Sequence, residues 1–237
     1  MEATSMIKSL GIMVERKRCS LQQDVLSWAD AHPLRYAWRE PGTSAYCVLI
    51  GEMLLDRLKQ GAEEAFERFV ALLPQVSDLL SANEEKIGEV LAVIHLEQQR
   101  ESFWKLVRGL AREGRGNLPC DTDNLGRISG LPRHGVKAVF CFGYGLPIAV
   151  VNTHVFRMLA HIFAADLPPQ PPPGLVESVA EGLVCCDEPQ KYNSMMLDLA
   201  ELVCRAGMPE CAICPVNNIC DSVPSVQASV RSLARIG

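Results

Sequence analysis

Four cysteines, Cys204, Cys211, Cys214 and Cys220, fall within 17 residues in the pattern C-x6-C-x2-C-x5-C. The segment before them, YNSMMLDLAELVC, carries apolar residues at helical spacing, so the first cysteine ends a helix and the other three occupy a compact Pro-containing loop. Such spacing lets four thiolates converge on one centre, and thiolates ligate both iron–sulfur clusters and structural zinc. Structural zinc usually takes two C-x2-C knuckles, and Cys211–Cys214 forms just one. The remaining six cysteines lie in apolar or loop contexts. They read as reduced, several of them serving as small core residues.

Strand signals are nearly absent from the rest of the chain, and apolar residues recur at helical spacing between turn residues, which predicts an all-α fold. With 237 residues, 48% of them apolar, the chain can build one large core or two smaller ones. A first helix is predicted after Ser20, a good N-cap, and ends at Pro33. Further helices are predicted over 45–58, 62–73, 81–94, 98–114, on both sides of residues 131–135, and over 153–163, 175–186 and 190–204. Residues 166–174, DLPPQPPPG, hold five prolines and read as a stiff surface connection. No stretch reaches the roughly 20 apolar residues of a membrane helix, and the N-terminus lacks the apolar core of a secretory signal. The expectation is a soluble cytoplasmic protein without a membrane partner.

A net charge of −5 excludes a bulk polycation, but the charge is unevenly spread. Glu52–Glu97 holds ten acidic and four basic residues, whereas Arg100–Lys137 holds eight basic and four acidic ones. The second segment is the one suited to face phosphates.

Within it lies Leu131-Pro132-Arg133-His134-Gly135, between two helical runs. A tight hairpin of this kind aims backbone N–H groups at a phosphate and grips a nucleic acid without reading its sequence. This segment resembles the helix-hairpin-helix motif, usually LPGVG. The downstream run GYGLPIAVVNTHVFRML resembles the loop and helix that complete the signature of the helix-hairpin-helix DNA glycosylase superfamily, which commonly ends V-D-T-H. The cysteine pattern resembles the [4Fe-4S] loop of the endonuclease III and adenine-mismatch glycosylases. The helix AYCVLIGEMLLDRL, preceded by Trp38-Arg39, resembles the equivalent helix of the adenine- and thymine-mismatch enzymes. Together these cover about Leu21 to Cys220.

The resemblance implies a six-helix barrel domain over 44–148, a helical iron–sulfur domain made from 1–43 and 149–237, and a cleft between them. It implies excision of a damaged or mismatched base from double-stranded DNA by a monomer, with the base flipped out of the helix. Cys204, Cys211, Cys214 and Cys220 would hold the cluster. Asn152 stands where the family has an aspartate whose charge stabilises the oxocarbenium-like sugar; asparagine keeps the size but not the anion, at a cost on the order of 10²–10⁴ in rate. Both a natural departure and an inactivating substitution fit this. Lys137 takes the place of the lysine that forms a Schiff base in bifunctional members, which implies added lyase chemistry. Glu52 takes the place of the glutamate that protonates the departing adenine, burial among Ile50, Gly51, Met53 and Leu54 being the expected means of raising its pKa.

DNA contacts are expected from Leu131, Arg133, His134 and Gly135 of the hairpin, from Arg57 beside Asp56, from Gln98 or Leu96 in an intercalating loop, and from Arg205. Arg133 replaces the motif's glycine, which sets a possible loss of hairpin geometry against an added cation. The chain ends 17 residues after Cys220, which leaves no room for the further domain of adenine-mismatch enzymes. Pyrimidine targets are therefore favoured. The second class of reading is a catalytically silent protein that binds a DNA lesion or distorted duplex.

Overall fold

The computed structural model describes residues 2–33, 35–58, 60–112 and 117–223, with side chains from Leu10 onward. Met13, Val14, Leu21 and Val25 are buried along one helical stripe, and α1 accordingly spans Glu2–Ala31. Ser20 is therefore inside a helix and not at its start. Lys17 explains the miss: it is buried on the same stripe, its ammonium bonded to the Ile162 carbonyl at 2.5 Å and to Asp221 at 2.6 Å, so a charged residue continues the packed face.

Contacts divide the chain into two units. One is Tyr36–Leu146. It carries α2 (Ala45–Arg57), α3 (Ala62–Leu72), α4 (Val76–Ser81), α5 (Glu84–Val93), α6 (Arg100–Arg112), α7 (Thr122–Ser129) and α8 (Arg133–Ala138), which runs on into a π-helical turn at Val139–Gly143. The unit begins at Tyr36 rather than at 44 because Trp38 is fully buried and lies flat on Gly51 of α2; a Cβ at 51 would sit 2.3 Å from the indole. Gly143 makes a similar approach to α2, with Ala45 Cα 2.5 Å from where its Cβ would be. Helix α4 was missed in the sequence because six residues show too little periodicity; Gln75 and Asp78 close a capping box around its start.

The other unit comprises the described residues of Met1–Arg35 and Pro147–Gly237. Here α1 packs on α10 (Pro173–Leu183) and α11 (Pro189–Leu202), and α9 (Thr153–Ile162) packs on both. The proline run ends by starting α10: Pro172 is the N-cap and Pro173 the first helical residue, where a missing N–H costs nothing. Every residue of α11 from Tyr192 to Ala200 is buried, including the polar Asn193, Ser194 and Asp198. Among the described residues there is no strand, and no helix is long and apolar enough to cross a membrane. Of the six cysteines outside the motif, Cys141 is buried, while Cys19, Cys120 and Cys186 are exposed, so the expected core role holds at one position clearly.

Candidate functional sites

Glu52 sits in mid-α2 and is buried, but it is not surrounded by apolar groups alone. Arg39, equally buried, donates from Nε to Oε1 at 2.8 Å and from Nη2 to Oε2 at 3.3 Å, and the Trp38 indole N–H donates to Oε1 at 3.1 Å. The Arg39 guanidinium also lies 4.8 Å from the Tyr36 ring centre. A forked cation and an indole N–H occupy the carboxylate oxygens, so the expected apolar setting is replaced by an ion-pair setting. The sequence placed Trp38-Arg39 ahead of this helix without showing that both turn back onto Glu52. At His134 of α8, burial holds the imidazole below the ordinary histidine range, the charges of Glu52 and Asp56 push the other way, and Arg39 adds to the lowering.

The hairpin forms without strain at Arg133. Gly130, at φ +70°, takes the left-handed cap position after α7 and donates to the Gly126 carbonyl at 2.9 Å. Leu131 and Pro132 make the turn, and Arg133 is already the first residue of α8. Among the described residues the one non-glycine residue at positive φ is His95, so the position where the motif has glycine needs no glycine here. Gly135 is needed for another reason: Leu131 folds back onto it, with Cδ2 3.2 Å from a Cβ at 135. Arg57 does not reach out from this region. Its guanidinium donates to the Met53 carbonyl at 2.9 Å and to the Ser129 carbonyl at 3.2 Å, tying α2 to the end of α7.

Arg133 and Lys137, one turn apart, line an open recess of about 480 Å³ with Thr122, Asp123, Arg127 and Val136. Lys137 is half-buried. It and Glu52 are in the same unit but line different surroundings, the recess toward α7 in one case and the Arg39 pair in the other. Leu96 is buried and so withdrawn from any intercalating role, whereas Gln98 is exposed in a 3-10 turn beside the left-handed His95.

Asn152 belongs to the other unit, where it is the N-cap of α9. Its Oδ1 accepts the backbone N–H of His154 at 3.0 Å and of Val155 at 2.9 Å. The extended run leading to it is pinned from α10 and α11: Asn193 Oδ1 accepts the Val150 N–H at 2.8 Å, its amide donates to the Ile148 carbonyl at 3.1 Å, and Glu181 accepts the Ala149 N–H at 3.1 Å. The sequence gave no sign of Asn193, a buried amide whose one visible context is an apolar helix.

Farther along α9, Arg157 donates to the Cys204 carbonyl at 2.6 Å and the Ala200 carbonyl at 2.8 Å, satisfying carbonyls at the end of α11. Cys204, Cys211, Cys214 and Cys220 line one small pocket with Met158, His161, Ile162 and Val216. Burial pushes the thiols of Cys204 and Cys214 up to about 11, and their neighbouring cysteines add to the rise. Among the described residues no group of three or more His, Cys, Asp or Glu side chains is arranged to hold a metal ion. Arg205 is exposed and paired with Glu210.

No protein-family profile matches the chain. It is 25% identical over 198 residues to an adenine DNA glycosylase of Mycolicibacterium smegmatis, covering 82% of this chain and 67% of that one. It is 28% identical over 191 residues to a thymine/uracil-DNA glycosylase of Pyrobaculum aerophilum, covering 77% and 82%. Its fold matches that of a thermostable thymine-DNA glycosylase with a TM-score of 0.78 over 89% of this chain and 98% of the other, at 21% identity. A trapped endonuclease III–DNA covalent intermediate gives 0.70 over 90% and 98%.

Proposed function

We infer, from its place in the helix-hairpin-helix DNA glycosylase superfamily, that this chain is a base-excision DNA glycosylase acting on a damaged or mismatched base in duplex DNA. The observation that carries the reading is the correspondence of nearly the whole chain, in fold and in sequence, with glycosylases. Arg133 and the hairpin, with the basic recess behind it, are suited to hold the DNA backbone. Lys137 in that recess is the candidate amine for attack on the sugar carbon, with water as the alternative nucleophile. Glu52, held by Arg39 and Trp38, is the candidate for proton exchange with the departing base.

A [4Fe-4S] cluster on Cys204, Cys211, Cys214 and Cys220 is part of the same proposal. The donor chemistry fits: four sulfurs line one pocket whose other walls are mostly apolar, and soft thiolate donors suit an iron–sulfur cluster or zinc. When bound, such a group supplies a cross-link between the end of α11 and the loop that follows. Arg157 and the α9 wall hold the first ligand's backbone in place for it.

The second reading, a catalytically silent DNA-binding protein, is favoured by Asn152, whose side-chain oxygen is used on two backbone N–H groups of α9 and which cannot supply an anion. Aspartate caps a helix as well as asparagine does, so Asn152→Asp keeps the fold while restoring the charge. On a panel of mismatched, uracil-bearing and oxidised-pyrimidine duplexes, Asn152→Asp is expected to raise excision by on the order of 10²–10⁴. Borohydride should then trap a protein–DNA adduct that disappears when Lys137→Ala is added. No excision by either form, with DNA binding intact, would establish the silent reading instead.

A further inference from the structure

His161 lies two turns beyond the N-terminal part of α9 and belongs to two cavities at once. On one side it lines the small cysteine pocket. On the other it lines an open groove of about 620 Å³ bounded by Phe156, Ala160, Leu167 and Pro168. Its Nδ1 stands 3.6 Å from Cys204 Sγ, within reach of an N–H···S contact because sulfur is large and its acceptor distances are correspondingly long. Its backbone carbonyl accepts from the Ser222 hydroxyl at 2.9 Å and faces Cys220 Sγ at 3.6 Å. His161 thus meets both ends of the cysteine motif, its ring at Cys204 and its backbone carbonyl at Cys220 and Ser222. Arg157, by contrast, engages the Cys204 carbonyl and not its sulfur.

We propose that His161 is a positioning residue of the cysteine centre, its Nδ1–H donating to the Cys204 sulfur while its ring closes the wall between the centre and the groove. The inference rests on the cluster reading above. A donor aimed at a ligand sulfur draws electron density from the iron and favours the reduced state, so it raises the reduction potential. The wall limits access of water and oxygen to the same sulfur.

The two roles separate by substitution. His161→Phe keeps a ring in the wall but has no N–H, and should favour the oxidised state roughly tenfold, a fall of about 59 mV for a one-electron couple. His161→Gln restores an N–H donor and should recover most of that shift. His161→Ala opens the wall and should speed bleaching of the visible chromophore in air several-fold. The holoprotein, prepared anaerobically, is first assayed for iron and zinc, then studied by film voltammetry and by pulsed EPR in its paramagnetic state. A weak ¹⁴N coupling in the unsubstituted protein, lost in His161→Phe, is the expected signature, and its absence from the unsubstituted protein overturns the donor role even if a variant fails to fold. Zinc without iron overturns the cluster reading itself. An iron-loaded His161→Phe with an unchanged potential overturns the His161 assignment alone.

Discussion

At the scale of single residues, the buried Glu52–Arg39 pair is the most consequential arrangement in the unit Tyr36–Leu146. Both side chains are almost wholly out of water, so each depends on the other to offset the cost of burying its charge. Arg39→Ala leaves an uncompensated carboxylate and should cost about 3–5 kcal/mol. Arg39→Met combined with Glu52→Gln should lose clearly less, because no bare charge remains. Urea denaturation of Arg39→Met, Glu52→Gln and the double variant closes the cycle; a loss in the double variant equal to the sum of the two single losses would mean that the pair is not coupled. The same pair bears on chemistry. The carboxyl group offered to a departing base is held on both oxygens by the Arg39 guanidinium and on one by the Trp38 indole N–H, so its orientation is fixed by the fold.

At the scale of elements, α2 combines a run of buried apolar residues, Val48, Leu49, Ile50, Met53 and Leu54, with two close approaches. Trp38 covers Gly51, and Ala45 meets Gly143 of the π-helical turn after α8. These contacts bring the Trp38-Arg39 turn onto the glutamate of α2. Gly51→Ala puts a methyl into the indole and should cost about 1–3 kcal/mol through overpacking. It should also draw the Trp38 N–H from Glu52. Stability and tryptophan fluorescence should therefore change together; a stable variant with unaltered fluorescence would show that Trp38 can move aside freely. In the other unit Asn152 caps the first turn of α9 itself, while Arg157 and His161 farther along the same helix both engage Cys204.

At the scale of the whole molecule, a net charge of −5 coexists with a basic segment from Arg100 to Lys137. Arg100 pairs with Glu84 and Arg108 with Glu101, whereas Arg127, Arg133 and Lys137 are gathered at the recess beside the hairpin, the surface proposed to attract phosphate. Binding to duplex DNA should weaken linearly in log–log form as salt rises, with a slope of about −0.9 for each phosphate neutralised. Arg133→Glu should weaken binding across all sequences alike and make the slope shallower by roughly one. Fluorescence anisotropy at several salt concentrations measures both; an unchanged slope would remove Arg133 from the DNA interface.

The sequence by itself determined the helical class, most helix positions, the cysteine motif and the hairpin, because each is written in local periodicity, turn residues or short spacing. It placed Asn152 at a helix start, and the cap is there. Only the tertiary structure decided what surrounds these residues. Arg39 on Glu52, Arg57 on the Ser129 carbonyl, Asn193 on the Val150 amide and His161 on the Cys204 sulfur join positions from 13 to 72 residues apart. No local pattern encodes such pairings, since the partner is chosen by which helices pack together. The same holds for α1, which the sequence predicts to begin after Ser20 and which instead spans Glu2–Ala31, with Lys17 buried against the Ile162 carbonyl and Asp221. Arg133 in place of glycine is the clearest case: the motif suggested distortion, and the structure removes it by giving the left-handed position to Gly130, so that a helical arginine fits without strain.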